Sequence, residues 1–461
     1  MITRIWPKVL LLSGLGAVLA WCPMPFGSVL PWSEALLTVA ILVLAACGLM
    51  TGGGRTAWRA LRVPLLACAL LALFAVLQSR AWPHGVAARF SPEHARLADA
   101  AFGAIGERAT RVPLTLAPWA TQGVALAVAG LMAALIVGAT LGRERVGRRV
   151  ILAAVLGAAL FEAFVGAQMW FARSRTIWGV EVPTQPWRLH GTFVNPDHLA
   201  YYLEIALAAA FAWAWWAFRR TRGAPLEVRV LSVSPPALCW LIFFLALAFS
   251  GSRAGLLAAL VGVGTQALVL AAAGRRLKPL LIGAAVVVVA LGVVASVGLR
   301  EGLGRFAQVG RSDVSLLARL EVTRSTFDIW RRFPIFGSGL GTFEEAFPLV
   351  EPENVAGALW HHAHNDPVEL LATGGLVAVA LVMVAIGALG RRLWRSATLG
   401  ARSEDRAAGI AALGVLASFA LHELAEFGLT MPANAVTLAV VCGAAAIVPR
   451  ARKSPAPAPE S

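Results

Sequence analysis

Apolar runs of about twenty residues, separated by short polar or basic turns, recur from one end of this chain to the other. A helix of that length crosses the ~30 Å hydrocarbon core of a bilayer with all its backbone hydrogen bonds satisfied internally. The pattern predicts twelve spans, at about 7–22, 33–50, 63–79, 118–141, 149–171, 198–218, 232–250, 254–273, 279–298, 367–390, 406–424 and 431–449. The expected fold class is therefore an all-α polytopic membrane protein with one large outer loop, 299–366, between spans 9 and 10.

The basic residues give these spans a direction. If the N-terminus is cytoplasmic, each inner segment is basic: Arg4 and Lys8; Arg55, Arg59 and Arg62; Arg143, Arg145, Arg148 and Arg149; Arg219, Arg220, Arg222 and Arg229. The series continues through Arg275, Arg276 and Lys278, then Arg391, Arg392, Arg395, Arg402 and Arg406, and closes on Arg450, Arg452 and Lys453. The short outer turns at 23–32 and 425–430 have no Lys or Arg. That alternation follows the positive-inside rule and puts both termini in the cytoplasm. The apolar run Val9–Trp21 resembles a secretory signal, but it ends in Trp21-Cys22-Pro23 without small residues for cleavage, so it reads as an uncleaved first helix.

Composition agrees with the pattern. The chain is 58% hydrophobic and only 14% charged, as integral membrane proteins are. The net charge of +15 is accounted for by the inner loops and carries no argument for nucleic acid. The five cysteines, Cys22, Cys47, Cys68, Cys239 and Cys442, have no metal-ligand spacing and read as buried thiols.

Chemistry concentrates in the outer segments. Segment 80–117 carries mixed charge and reads as an interfacial or short surface helix. Segment 172–197 holds Trp178, Trp187 and the polar run His190 to His198. Within the large loop, Ser315 to Arg332 reads as a helix with Leu316, Leu317, Leu320, Phe327 and Trp330 on its apolar face. Gly337, Gly339 and Gly341 follow at alternate positions, which suits a turn, or more weakly a phosphate cradle. The outer segments use arginine and no lysine. Arg253, in the short turn after Ser250, is able to snorkel to headgroups or to fork onto the phosphate oxygens of an anionic ligand.

His361, His362, His364, Asn365, Asp366 and Glu369 crowd the start of span 10, where ionisable residues suggest a functional site. Three readings stay open for them: metal ligation, helix capping by Asn365 or Asp366 ahead of Pro367, and a general base. His422, Glu423 and Glu426 bring further polar groups to the same side. A transporter would instead place ionisable residues near mid-membrane, where Glu162 and Glu204 are the nearest candidates.

Thr192-Phe-Val-Asn195-Pro-Asp197-His198-Leu-Ala200 is similar to the Asn-x-Asn-His-x-Ala signature of the O-antigen ligase and polymerase superfamily. Ser252-Arg253-Ala-Gly255 resembles that family's Ser-Arg-x-Gly turn. Arg319, fifteen residues before Pro334-Ile-Phe-Gly337-Ser-Gly339-Leu-Gly341, resembles its Arg ahead of Pro-x-x-Gly-x-Gly-x-Gly. His364-Asn365 with Gly374 and Gly375, and His422, Glu426 and Asn434, resemble its last motifs, although Asp197 stands for the usual second Asn and Glu426 where Asp is common.

The resemblance runs from about 190 to 440 and divides the chain into N-terminal helices with their outer loops (1–189), a ligase-like region (190–449) and a Pro-Ala tail (450–461) that is expected to be disordered. It implies a glycosyltransferase of the bacterial inner membrane, with the large loop in the periplasm. Such an enzyme moves a glycan from undecaprenyl pyrophosphate to a hydroxyl of lipid A core, of another glycan or of a protein, with inversion and with no metal or cofactor. By the same resemblance His364, Arg319 and Arg253 are catalytic. Asn195, His198, Arg324, Gly337, Gly339, Gly341, Asn365, Asp366, His422 and Glu426 are then expected to bind substrate.

Overall fold

A computed structural model describes residues 6–274 and 314–447, together with Gly283, Val288 and Gly292. Apart from those three residues, the ninth expected span lies outside the described residues, as do the first part of the large loop, the basic residues Arg275 to Lys278 and the C-terminal tail. The described residues are mostly helical. In order, the helices are α1 (Trp6–Trp21), α2 (Pro31–Gly48), α3 (Gly54–Gln78), α4 (His84–Phe90), α5 (Pro92–Gly103), α6 (Pro118–Leu141), α7 (Arg145–Phe171) and α8 (Pro196–Arg220). They continue with α9 (Leu226–Ser250), α10 (Arg253–Gly274), α11 (Val314–Arg332), the single turn α12 (Phe343–Ala346), α13 (Asp366–Leu399), α14 (Ser403–His422) and α15 (Pro432–Ala445).

Every predicted span outside 279–298 coincides with one of these helices. Among the described residues, seven helical runs are long and apolar enough to cross a membrane. One of them, Pro31–Gln78, comprises α2 and α3 joined through a bend at Gly52, whose φ of 79° suits glycine. Two helices reach well beyond their apolar runs: α3 starts at Gly54 and takes in Arg55, Arg59 and Arg62, and α13 continues through Arg391, Arg392 and Arg395 to Leu399. Arginine is a good helix former, so the coil does not stop where the hydrophobic signal does.

α8 is the hub of the bundle. All of 196–210 is buried, and α9, α10, α14 and α7 pack around it. Its run of small residues, Ala206, Ala208, Ala209, Ala210 and Ala212, lets neighbouring backbones approach closely, which is what drives helix packing where lipid offers no hydrophobic gain. The N-terminus of α8 and the C-termini of α9 and α14 meet at one end of the bundle, called the site end below.

Segment 80–117 forms two short helices rather than one, α4 and α5, flanked by an antiparallel pair of strands, β1 (Ala81–Pro83) and β2 (Arg111–Pro113). Its role is to buttress the glycine-rich loop. Leu116 N donates to Ser338 O at 2.9 Å and His94 Nε2 to the same oxygen at 3.2 Å, beside Gln78 at the end of α3, whose Nε2 donates to Phe336 O at 2.6 Å. Burial holds the His94 imidazole down at about 4, against an ordinary 6.5. The unfolded chain therefore takes up a proton near pH 6.5 that folded His94 refuses until about pH 4. Stability should be full above pH 6.5 and fall through this window by on the order of 3 kcal/mol. Thermal unfolding of the protein in micelles should show this acid slope, and His94→Gln should flatten it.

The packing of α11 corrects the sequence reading. Leu317, Leu320 and Phe327 are exposed, whereas Val322, Ile329 and Phe333 form a small core with Phe343, Phe347 and Ala363. Both stripes recur at helical spacing. Periodicity alone therefore does not decide which stripe is buried.

Candidate active site

The site is built where α13 begins. Asn365 has an extended backbone, and its Oδ1 accepts from Val368 N at 3.1 Å, capping α13 with Pro367 in the first turn. Of the two capping candidates the structure selects Asn365. Its amide donates to Leu424 O at 2.9 Å, and Asp366 N donates to Glu423 O at 3.0 Å. The start of α13 is thereby clamped to the turn that follows α14. Thr323 Oγ1 on α11 donates to Ala363 O at 3.0 Å and fixes the residue before His364. His364 itself sits at φ 52°, a left-handed conformation that a non-glycine residue adopts at a cost of about 1–3 kcal/mol and that is concentrated at functional sites.

The three histidines turn to three different carboxylates. His361 Nδ1 is 2.9 Å from Glu344 Oε2, His362 Nδ1 3.0 Å from Glu369 Oε1, and His364 Nδ1 3.1 Å from Glu426 Oε2. Among the described residues no group of three His, Cys, Asp or Glu side chains is arranged to hold a metal ion. Burial alone would lower the His362 imidazole, but the hydrogen bond and charge of Glu369 raise it above its ordinary value.

Glu426 is the centre of the arrangement. It is 1% exposed; one oxygen receives the His364 Nδ1–H and the other pairs with the Arg319 guanidinium. Desolvation of its charge is offset by two charge-assisted partners. The Nδ1 contact leaves His364 Nε2 as the nitrogen able to take a proton. A third of the Arg319 side chain stays exposed, so its guanidinium also has surface to offer an anion.

Phe427, which sequence reasoning passed over, is the platform. The rings of His198, His362 and His364 lie 4.9, 4.3 and 5.0 Å from it. A pocket of about 210 Å³ opens here, walled by Leu359, Trp360, His361, His362, His364 and Phe427. Arg188 was also missed. It binds Asp197 at 2.6 Å and donates through Nε to Ser250 O at 2.5 Å, tying the start of α8 to the turn that carries Arg253. Asn195 caps α8, its Oδ1 accepting from Asp197 N at 2.9 Å.

Other expected site residues lie elsewhere. Arg324 is exposed and, five positions after Arg319, is turned about 140° from it on α11. His422 is buried beneath the site, its Nδ1 2.6 Å from Glu204 Oε1 and its ring stacked 3.8 Å from that of Tyr201. Ser418 Oγ donates to the other Glu204 oxygen at 2.6 Å. Glu162 receives Thr192 N at 2.7 Å and Thr192 Oγ1 at 2.8 Å. Both midspan carboxylates thus hold helices and loops of the site in place.

The three glycines form a packing joint. Gly337, Gly339 and Gly341 have φ of 74°, 115° and 79°. A Cβ on Gly339 would come 1.9 Å from Thr115 Oγ1, and one on Gly337 2.1 Å from Thr373 O. Their neighbourhood uses its amides within the protein: Gly337 N donates to Phe333 O, Ser338 N to Ala372 O and Gly339 N to Thr373 O, all at 2.9–3.0 Å. The simple-turn reading is the one this geometry fits.

Fold and site together define a mostly helical membrane protein with a histidine–carboxylate–arginine cluster at one end of its bundle. Residues 237–383, which include Arg253, Arg319 and His364, match the family described as O-antigen ligase, the Wzy_C domain. The chain therefore carries an O-antigen ligase-type domain, which supports its place in the O-antigen ligase/polymerase superfamily. No curated protein matches it.

Proposed function

We propose that this chain is an inverting glycosyltransferase that moves a glycan from undecaprenyl pyrophosphate to an acceptor hydroxyl, on the periplasmic face of the bacterial inner membrane. The observation that carries the reading is the Glu426 carboxylate held between Arg319 and His364. The acceptor hydroxyl attacks C1 of the first sugar and forms the new C1–O bond. Its proton passes to His364 Nε2, and the resulting imidazolium is stabilised by Glu426. The bond from C1 to the carrier breaks, and its electron pair leaves on the pyrophosphate. Arg253, at the N-terminus of α10, and the exposed part of Arg319 balance the charge that develops there. In this reading no metal takes part, and the aromatic pocket beside His364 receives the acceptor.

Deletion in the host, followed by gel analysis of surface glycans and glycoproteins, tests the proposal. Lipid A core lacking long chains identifies a ligase, a single capping repeat a polymerase, and unmodified protein beside normal lipopolysaccharide a protein transferase. Unchanged surface glycans and glycoproteins overturn the reading.

A further inference from the structure

At the end of the bundle opposite His364, a cleft of about 580 Å³ opens among α7, α8, α9, α14 and α15. That volume lies within the ~300–1,000 Å³ of ligand pockets. Its walls are aliphatic and aromatic, with Leu156, Leu160, Trp213 and Trp216 among them, and it opens sideways past the exposed Ala153 and Gly157 of α7. Its mouth is different. Arg145, Arg148 and Arg149 stand there, and Arg220 lies 5.2 Å over the Trp216 ring.

Against these four arginines stand two carboxylates. Glu404 is 2.9 Å from Arg145 and 3.8 Å from Arg149. The fully buried Asp405 is 2.7 Å from Arg148. A net positive charge therefore remains at the rim of an apolar cleft. The side chains of Arg145 and Arg149 are 55% and 64% exposed, which leaves guanidinium surface to face a ligand. Arg148 Nε is buried and donates to no hydrogen-bond partner among the described residues.

We propose that this cleft is a binding site for one anionic phospholipid, with an acyl chain lying along α7 between Trp213 and Gly157 and the phosphate at Arg145 and Arg149. Chain and headgroup are recognised by separate parts of the site: apolar burial takes any acyl chain, and the excess arginine charge selects a net negative headgroup. A guanidinium forks onto phosphate oxygens, which suits arginine to this position. Indole rings beside the arginines are the side chains expected at the level where an acyl chain gives way to its headgroup. The site is remote from His364 and does not depend on the transfer reaction.

Gly157 offers a clean test, because a Cβ built on it meets nothing within 4 Å and phenylalanine has a higher helix propensity than glycine. Native mass spectrometry of the full chain in micelles, titrated with dioleoyl-phosphatidylglycerol or dioleoyl-phosphatidylcholine, reads the occupancy. The wild type should retain one phosphatidylglycerol with about tenfold preference over phosphatidylcholine. Gly157→Phe, which fills the cleft, should lose that adduct. Arg149→Gln, whose one ion pair among the described residues is long and exposed on the arginine side, should keep the fold and weaken phosphatidylglycerol about tenfold, and it decides the matter if Gly157→Phe unfolds. Equal retention of the two lipids by the wild type, or undiminished phosphatidylglycerol on folded Gly157→Phe or on Arg149→Gln, overturns the site.

Discussion

His364→Ala should lower glycan transfer by about 10²–10⁴-fold, the usual contribution of a positioned general base, while the protein still inserts and purifies in normal yield. The prediction rests on His364 Nδ1 being held by Glu426, which leaves Nε2 facing the pocket. His364→Gly separates chemistry from structure. Glycine accepts the left-handed φ of 52° that His364 adopts at lower cost than any other residue, so this variant should melt no lower than His364→Ala and yet be equally inactive. Added imidazole should restore part of its rate through the opened pocket. If both variants transfer glycan within threefold of wild type, His364 is not the base. If activity instead follows melting temperature across the series, its role is structural.

The helices were legible because length and hydrophobicity alone decide them in a bilayer. α6 has the predicted limits, 118–141, and the other described spans differ mainly at their ends. Polar helical extensions are invisible to that signal, so α3 and α13 were expected to be shorter than they are. The members of the candidate site drew notice in the sequence too, His364 and Glu426 as polar residues in an apolar chain and Arg319 through the motif it resembles. Their pairing did not, because 62 and 107 residues separate Glu426 from its two partners, and only the docking of α11 and α13 against the end of α14 brings them together.

Phe427 was silent for a different reason. A lone aromatic in a short turn between helices has the appearance of a membrane-interface side chain, and its three histidine neighbours come from two other parts of the chain. Glu162 and Glu204 illustrate the converse. Read along the chain they are isolated midspan charges that point toward transport. In the fold each is partnered, by Thr192 or by His422 and Ser418, so a buried carboxylate here marks a joint between elements rather than a pathway.

Glu426→Gln should be nearly as damaging as loss of the histidine, with kcat falling at least 100-fold and KM little changed. The substitution keeps the shape of a side chain that is almost wholly buried and removes only its charge. An amide in this place no longer compels the proton onto His364 Nδ1. The competing tautomer carries it on Nε2, where a base must be vacant; the equivalent change in a carboxylate–histidine–nucleophile triad costs about 10⁴-fold. Arg319 would at the same time lose the carboxylate it pairs with, which lowers stability as well. Rates should therefore be compared well below the melting transition of each variant. Glu426→Asp retains the charge but draws it back by one methylene, and should recover most of the lost kcat together with the pH profile of the wild type. A Gln variant with kcat within threefold of wild type would mean that Glu426 only braces the turn after α14. Recovery of stability in Glu426→Asp without recovery of rate would point the same way, and the proton would then have to leave the acceptor by a route other than His364.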